Sequence, residues 1–387
     1  MLEGPRTPAR FIFSERYRNH SYGDQHPLSI PRVSLTHDLI QSYNGFQSGE
    51  VVESRQANDE ELLWFHTPEY LRAMKDVEAT SKVQAAYRKV HNIGNYENPY
   101  FPGFFTTPAT ATGGSIQAAE SLLEGYVSFS PAGGMHHAMP NRANGFCFFN
   151  DPVLAIKRLL KEDLKVLYVD IDAHHGDGVE FAFQNDPSVT TFSTHMDTDY
   201  AYPFLGGEHS QDGEKSHVIN LPLPKGVSDT EFDWAFTTVW EKILVNVDFD
   251  VVVLQAGTDI LHPDPLGKFS ISTQQFLKIV QKIKDTIPRK NNIPQLVVLG
   301  GGGYHPLSLA RCWLGVWGVL TNENFSDKLP AAGEALLRAI DWDLDEDEPW
   351  YERFFVSRLD QDYQSEIKPA VIKTVNTMLA EHTLLKD

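Results

Sequence analysis

The sequence predicts an α/β fold: a single domain on a mostly parallel, about eight-stranded sheet flanked by helices. Three observations carry this. Short, largely apolar runs rich in β-branched residues recur along the chain, as at Val166–Val169, Val251–Gln255 and Gln295–Leu299. Runs of that length without polar alternation fit strands buried on both faces. Segments with helical spacing fall between them, and no linker-like composition shift, repeat or low-complexity tract divides the 387 residues. One domain, 1–387, therefore accounts for the chain, with about 330–387 as a helical, acidic extension packed on it.

Taken in order, Phe11-Ile12-Phe13 forms a first strand, followed by a polar loop with His20, His26 and Pro27. Pro31 opens a helix over Val33–Tyr43, whose apolar positions 33, 35, 39, 40 and 43 approximate helical spacing. Val51-Val52 makes a small strand. Asp59–Phe65 reads as a helix start, and Thr67-Pro68 opens another helix through Met74. Ile93–Thr112 is rich in Pro, Gly and aromatics, a loop composition suited to the rim of a pocket. Gly113–Leu123 and Asp151–Leu160 read as helices on either side of the strand Val127–Phe129. After Val166–Val169 come strands at Val189–Thr194 and Val218–Leu223, then an amphipathic helix over Asp229–Val245. The strand Val251–Gln255, a helix over Thr273–Ile287 and the strand Gln295–Leu299 complete the alternation. The acidic stretch Asp341–Glu348 reads as a solvated turn before a closing amphipathic segment.

The formal charge of −19, from 33 basic and 52 acidic residues, disfavours direct nucleic-acid binding, which rests on phosphate neutralisation. A basic peptide or protein remains a suitable partner. Two cysteines in unlike contexts, Cys147 and Cys312, make no disulfide framework, and a reducing cytoplasm is the expected home. The N-terminus has no secretory apolar region, and no apolar run approaches a membrane span. Composition does not speak to oligomeric state.

The chemistry gathers where strands of a parallel sheet end. Val166–Val169 runs into Asp170, Asp172, His174, His175 and Asp177. At period two, Asp170, Asp172 and His174 share one side if the strand continues that far. Two carboxylates and an imidazole at a buried strand end are costly unless paired or holding a cation. Three further strands end in Gly133-Gly134-Met135-His136-His137, in Gly257-Thr258-Asp259 and in Gly300–Gly303 followed by Tyr304. Asp172, His174 and Asp259 are the chosen metal ligands, since three protein ligands with an open position make a catalytic zinc site. Two oxygens and one nitrogen also suit Fe2+. His175 is read as structural. His136 and His137 fit general acid–base work, oriented through Nδ1 by Asp170 and Asp177, and the Tyr304 phenol fits polarisation of a carbonyl. The glycine run lacks the Lys-Ser/Thr of a phosphate loop.

These motifs, with Pro31-Arg32-Val33, Gly145-Phe146-Cys147 and Tyr304-His305-Pro306, resemble the zinc-dependent histone deacetylase family. The style is closest to bacterial histone deacetylase-like and acetoin-utilisation deacetylase-like members. The resemblance spans nearly the whole chain and implies the arginase–deacetylase fold. It implies zinc on Asp172, His174 and Asp259, with His136–Asp170 and His137–Asp177 dyads and Tyr304 as the carbonyl-polarising residue. It also implies Gly145, Phe146 and Tyr202 at an acyl-lysine tunnel, Tyr202 standing where most relatives have Phe. Leu266 and Glu97 fall at the rim, Arg32 beside an internal channel, and Asp170, Asp172, His174 and Ser193 at a structural K+ site.

The expected activity is hydrolysis of acyl-lysine in peptides or proteins. The ureohydrolases of this fold use two manganese ions and an Asp-x-Asp at the late strand end, where this chain has Gly257 and Asp259. Acetylpolyamine deacetylases place a glutamate near the gate, where this chain has Leu266. A non-catalytic acyl-lysine-binding scaffold would have lost a ligand or Tyr304, and neither is lost.

Overall fold

The computed structural model describes residues 4–19, 21–208, 217–342 and 351–385; His20 and positions 343–348 of the acidic stretch lie outside the described residues. Eight strands form one sheet: β1 (Ala9–Phe13), β2 (Val51–Glu53), β3 (Val127–Ser130), β4 (Val166–Asp170), β5 (Val189–Met196), β6 (Val218–Leu223), β7 (Val251–Gln255) and β10 (Leu296–Leu299). A short antiparallel hairpin, β8 (Arg289–Lys290) with β9 (Ile293–Pro294), precedes β10. The spatial order is β2-β1-β3-β10-β7-β4-β5-β6, and every neighbouring pair is parallel. The predicted fold class and strand positions agree with this sheet.

Burial on both faces explains the unbroken apolar runs. Along β7, Val252 and Leu254 join one core with Phe129, Trp313 and Trp317, while Val251 and Val253 join the opposite core with Val153 and Tyr168. A third, aromatic cluster of Tyr22, Phe101, Phe104, Phe148, Phe149 and Tyr304 adjoins these. The loop read as aromatic and pocket-rimming supplies Phe101 and Phe104 to it.

Two expectations need correction. The helix read from Gly113 begins at Thr106 and runs to Leu123. Its first turn is capped from outside, Glu78 Oε2 accepting from the N–H groups of Phe105 (2.6 Å) and Thr106 (2.8 Å). Pro108 is tolerated there because the first turn lacks intrahelical acceptors for its N–H groups. Gly113 lies mid-helix because another backbone crosses it: a Cβ would sit 2.0 Å from the Arg55 carbonyl oxygen and 2.6 Å from Ala57 N. The second concerns the condition placed on β4: the strand ends at Asp170 and does not continue to His174. Asp172 and His174 are placed by successive side-chain turns, Asp170 Oδ1 accepting from Asp172 N (3.1 Å) and Asp172 Oδ1 from His174 N (3.0 Å).

The C-terminal segment is tied to the sheet domain by buried polar contacts. The fully buried Arg311 guanidinium pairs with Asp360 at 2.7 Å, and Asp360 Oδ2 accepts from Thr273 N (3.1 Å) where the helix Thr273–Thr286 begins. His382, just past the helix Pro369–Glu381, bonds the Val218 carbonyl at 2.9 Å. No helix among the described residues is long and apolar enough to cross a membrane.

Candidate active site

The four strand ends singled out in the sequence belong to β3, β10, β7 and β4, consecutive neighbours at the centre of the sheet. Asp170 and Gln255 are register partners at this edge. Asp172, His174 and Asp259, all buried, each offer a ligand atom within 4.8 Å of the others, the one such group found among the described residues. His174 Nδ1 lies 3.1 Å from Asp172 Oδ1 and 2.9 Å from Asp259 Oδ2. The remaining oxygens are held from behind: Asp172 Oδ2 accepts from Gln255 Nε2 and Gly302 N, both at 2.8 Å, and Asp259 Oδ1 from Ala173 N at 2.8 Å. Burial and the charge of Asp172 push the Asp259 carboxyl up. Two crowded buried carboxylates aimed at one imidazole form a set that a divalent cation would relieve, and two oxygens with one nitrogen suit zinc or ferrous iron.

His136 and His137 stand beside this set. His136 Nδ1–H donates to Asp170 Oδ2 (2.8 Å), His137 Nδ1–H to Asp177 Oδ1 (2.7 Å), and the two Nε2 atoms are 3.0 Å apart. The dyads expected from the sequence are thus formed. Burial works against protonation of His136, but Asp170 and Asp172 outweigh it and raise its pKa to about 9. Burial and the charge of His136 lower His137 to about 4, against the pull of Asp177. The two environments push the imidazoles apart, His136 toward the protonated form and His137 toward the free base. His175 pairs elsewhere, its Nε2 2.9 Å from Glu180 and its ring 4.8 Å from that of His195.

Tyr304 joins the site from the end of β10, its ring 6.5 Å from that of His174 and 5.9 Å from Phe146. Burial, then the charges of Asp259 and Asp172, push its pKa well up, so the phenol keeps its proton. The Phe146 ring packs against His26 at 4.6 Å, and Tyr202 stands edge-on to His137 at 4.8 Å. Glu97 Oε1 accepts from Gly145 N (2.5 Å) and from the Tyr202 hydroxyl (3.2 Å), tying the Gly145–Phe146 segment to Tyr202. Leu266 is half-buried against the cluster that holds Tyr304. Arg32 Nη1 donates to the Gly303 carbonyl at 2.8 Å and borders a cavity of about 70 Å³ shared with Met135, Phe148 and Asp151. Ser193 is the register partner of Asp170, but its hydroxyl is engaged with His195 Nδ1 at 2.8 Å.

Two residues of the site escaped the sequence reading. Gln255 read only as the end of a strand, yet its Nε2 reaches Asp172 and, at 3.2 Å, the Gly134 carbonyl. Asp151 read as an ordinary acidic helix start. Its buried carboxylate accepts from Gly134 N and Met135 N, both at 2.9 Å, and from Ser115 Oγ at 2.5 Å, fixing the loop that carries the tandem histidines. A polar residue closing an otherwise apolar strand was the available signal for Gln255.

Residues 26–320 match the Histone deacetylase domain family. Histone deacetylase 19 of Arabidopsis thaliana is 36% identical over 335 residues, 85% of this chain and 65% of that protein. The acetoin utilization protein AcuC of Bacillus subtilis is 32% identical over 319 residues, 80% of this chain and 82% of its own length. The chain spans a little under two thirds of the plant relatives, 65% of one and 62% of another. Among solved structures, an HDAC homolog complexed with SAHA is 38% identical, with a TM-score of 0.90 covering 96% of this chain and all of that one. An HDAC homolog from Aquifex aeolicus gives the same values.

Proposed function

This chain belongs to the histone deacetylase family, and from that premise we propose that it is a metal-dependent amidohydrolase that removes acyl groups from the ε-amine of lysine in peptides or proteins. The observation that carries the reading is the convergence of the Asp172–His174–Asp259 set, two carboxylate-oriented histidines and a protonated Tyr304 at one sheet edge. Zinc, or Fe2+, held by those three residues would polarise the amide carbonyl and activate water.

The chain's own groups do the rest. Phe146 and Tyr202 flank the lysine methylenes, the Tyr202 hydroxyl being donated to Glu97. Glu97 Oε2, whose one partner among the described residues is Asn92 Nδ2 at 3.4 Å, is the oxygen left to accept a peptide N–H. Tyr304 donates its O–H to the carbonyl oxygen as negative charge builds there. His137, neutral and with Nδ1–H committed to Asp177, takes the proton from water at Nε2. The proton taken up at His137 Nε2 is then delivered to the departing amine, with His136 Nε2, 3.0 Å away, as a second donor beside it. Cys147 is no nucleophile: burial pushes its thiol pKa well up, and Sγ–H is donated to the Gly145 carbonyl at 3.3 Å.

A mononuclear centre is favoured over the ureohydrolase arrangement. A Cβ on Gly257 would lie 2.0 Å from Asp172 Oδ2, and Leu261 is buried, so neither flanking position brings a second carboxylate. Residues 1–387 are read as one catalytic domain of a reducing cytoplasm, with both cysteines buried and free. K+ beside Asp170, Asp172, His174 and Ser193 would be structural. The test is competition between an acetyl-lysine peptide and acetylspermidine on zinc-loaded protein. We expect the peptide to have the higher kcat/KM, because half-buried Leu266 offers no charge to a distal ammonium. Preference for the polyamine would replace this reading with acetylpolyamine hydrolysis.

A further inference from the structure

The peptide group joining Gly303 to Tyr304 is gripped at both ends by buried charged side chains. Its carbonyl accepts from Arg32 Nη1 at 2.8 Å, and its N–H donates to Asp264 Oδ2 at 2.6 Å. Both are charge-assisted hydrogen bonds, stronger than those between neutral groups. The grip is needed because the segment has little stiffness of its own. Gly303 has φ +129, a conformation open in practice to glycine alone, and a run of glycines leads to it. Without an outside hold, a phenol at the end of such a tether would sample many directions.

Asp264 also reaches the opposite way. Its Oδ1 accepts from Leu266 N (2.9 Å) and Gly267 N (3.0 Å), so all three of these bonds go to backbone N–H groups. The segment it organises lies hard against the metal-ligand loop: a Cβ on Gly267 would sit 1.6 Å from the Asp259 carbonyl oxygen. One buried carboxylate, 5% exposed, thus joins the backbone of Tyr304 to the segment that carries Leu266. A purely local account, in which the acid between Pro263 and Pro265 merely closes its own turn, explains the bonds to residues 266 and 267. It does not explain the bond to a residue 40 positions away.

We propose that Asp264 is a positioning residue for Tyr304: its carboxylate fixes the direction of the phenol over the Asp172–His174–Asp259 set and couples that direction to the rim segment at Leu266. The proposal rests on the reading above only in taking Tyr304 as the carbonyl's hydrogen-bond donor. Asp264→Asn keeps the volume but turns an N–H2 toward backbone donors, so one of the three bonds is lost.

The test is a double-mutant cycle on metal-loaded protein with an acetyl-lysine peptide. Asp264→Asn should lower kcat by on the order of 10- to 100-fold, the usual cost of a misaimed group, with KM and metal content unchanged. In a Tyr304→Phe background the same change should cost less than about twofold, because there is no hydroxyl left to aim. Equal losses in both backgrounds, or no loss in either, would overturn the proposal. If Asp264→Asn does not fold, Asp264→Glu, which keeps the charge and displaces it by one methylene, is judged by the same cycle. A readout independent of turnover separates this idea from the proposed activity. In 3-fluorotyrosine-labelled protein, the fluorine resonance missing from Tyr304→Phe should shift or broaden in the Asp264 variant while the other tyrosines hold. An unmoved resonance sinks the proposal even if the wild type is a deacylase; a moved one sustains it even if the wild type is not.

Discussion

Replacing Tyr304 by phenylalanine removes one hydroxyl from a buried ring and little else. The expected result is a kcat lower by roughly 10²–10³-fold, as for loss of one oxyanion donor, with metal content unchanged. Near-full activity would remove Tyr304 from the chemistry. The histidine pair makes a prediction about pH. An imidazole acting as base fails as pH falls through its pKa, and one acting as acid fails as pH rises through its pKa. His137, at about 4, sets the acid limb of kcat, and His136, at about 9, sets the alkaline limb. A dication on the neighbouring ligands repels protons, so both limbs of the loaded enzyme lie below those values. Asp170→Asn withdraws one of the charges that hold the His136 proton, and the alkaline limb should move to still lower pH. A limb that stays in place would assign it to another group. Each of these residues was legible because a reactive type followed an apolar run. Asp151 and Asp264 were not: an acid at a helix start or between prolines looks like solvated punctuation until its burial is known.

Gly113→Ala tests an element against its own propensity. In an exposed helix interior the change stabilises by up to about 1 kcal/mol. Here the new methyl meets the Arg55–Ala57 backbone, and denaturant unfolding should instead show a loss of about 1–3 kcal/mol, the usual cost of overpacking. A stabilised variant would mean that the two segments can separate freely. The same helix is where the sequence misled. Residues 106–112 read as a loop because of Pro108 and the aromatic stretch before it, whereas the helix start there is fixed by Glu78, a tertiary cap invisible in local pattern. The central strands β4, β7 and β10 were legible for the opposite reason, since burial on both faces leaves mostly apolar residues at those positions. The strand Val166–Val169 was legible to within a residue of its end, but a chain of aspartate turns, and not strand periodicity, brings Asp172 and His174 to the site.

At the scale of the whole molecule, the C-terminal segment is held by a charge with no exposure to water. Asp360→Ala would leave the Arg311 guanidinium buried and unpaired, and should cost about 3–5 kcal/mol in chemical denaturation. The ion pair lies outside the catalytic cluster, so kcat of the folded fraction should be unchanged; a collapse in kcat at full folding would tie this segment to the chemistry. The order of strands carries a further consequence, in time rather than space. β10 is the last strand of the sheet in the chain, yet it lies between β3 and β7 at the centre. Until it is made, the strands available are β2-β1-β3 on one side and β7-β4-β5-β6 on the other, two ribbons with a missing middle. A ribosome therefore releases every ligand and both histidines before it releases the strand that brings them together. Such distant pairings form slowly. Activity should appear in one late step of synthesis, and a nascent chain stalled before residue 296 should contain almost all of the chemistry and none of the enzyme.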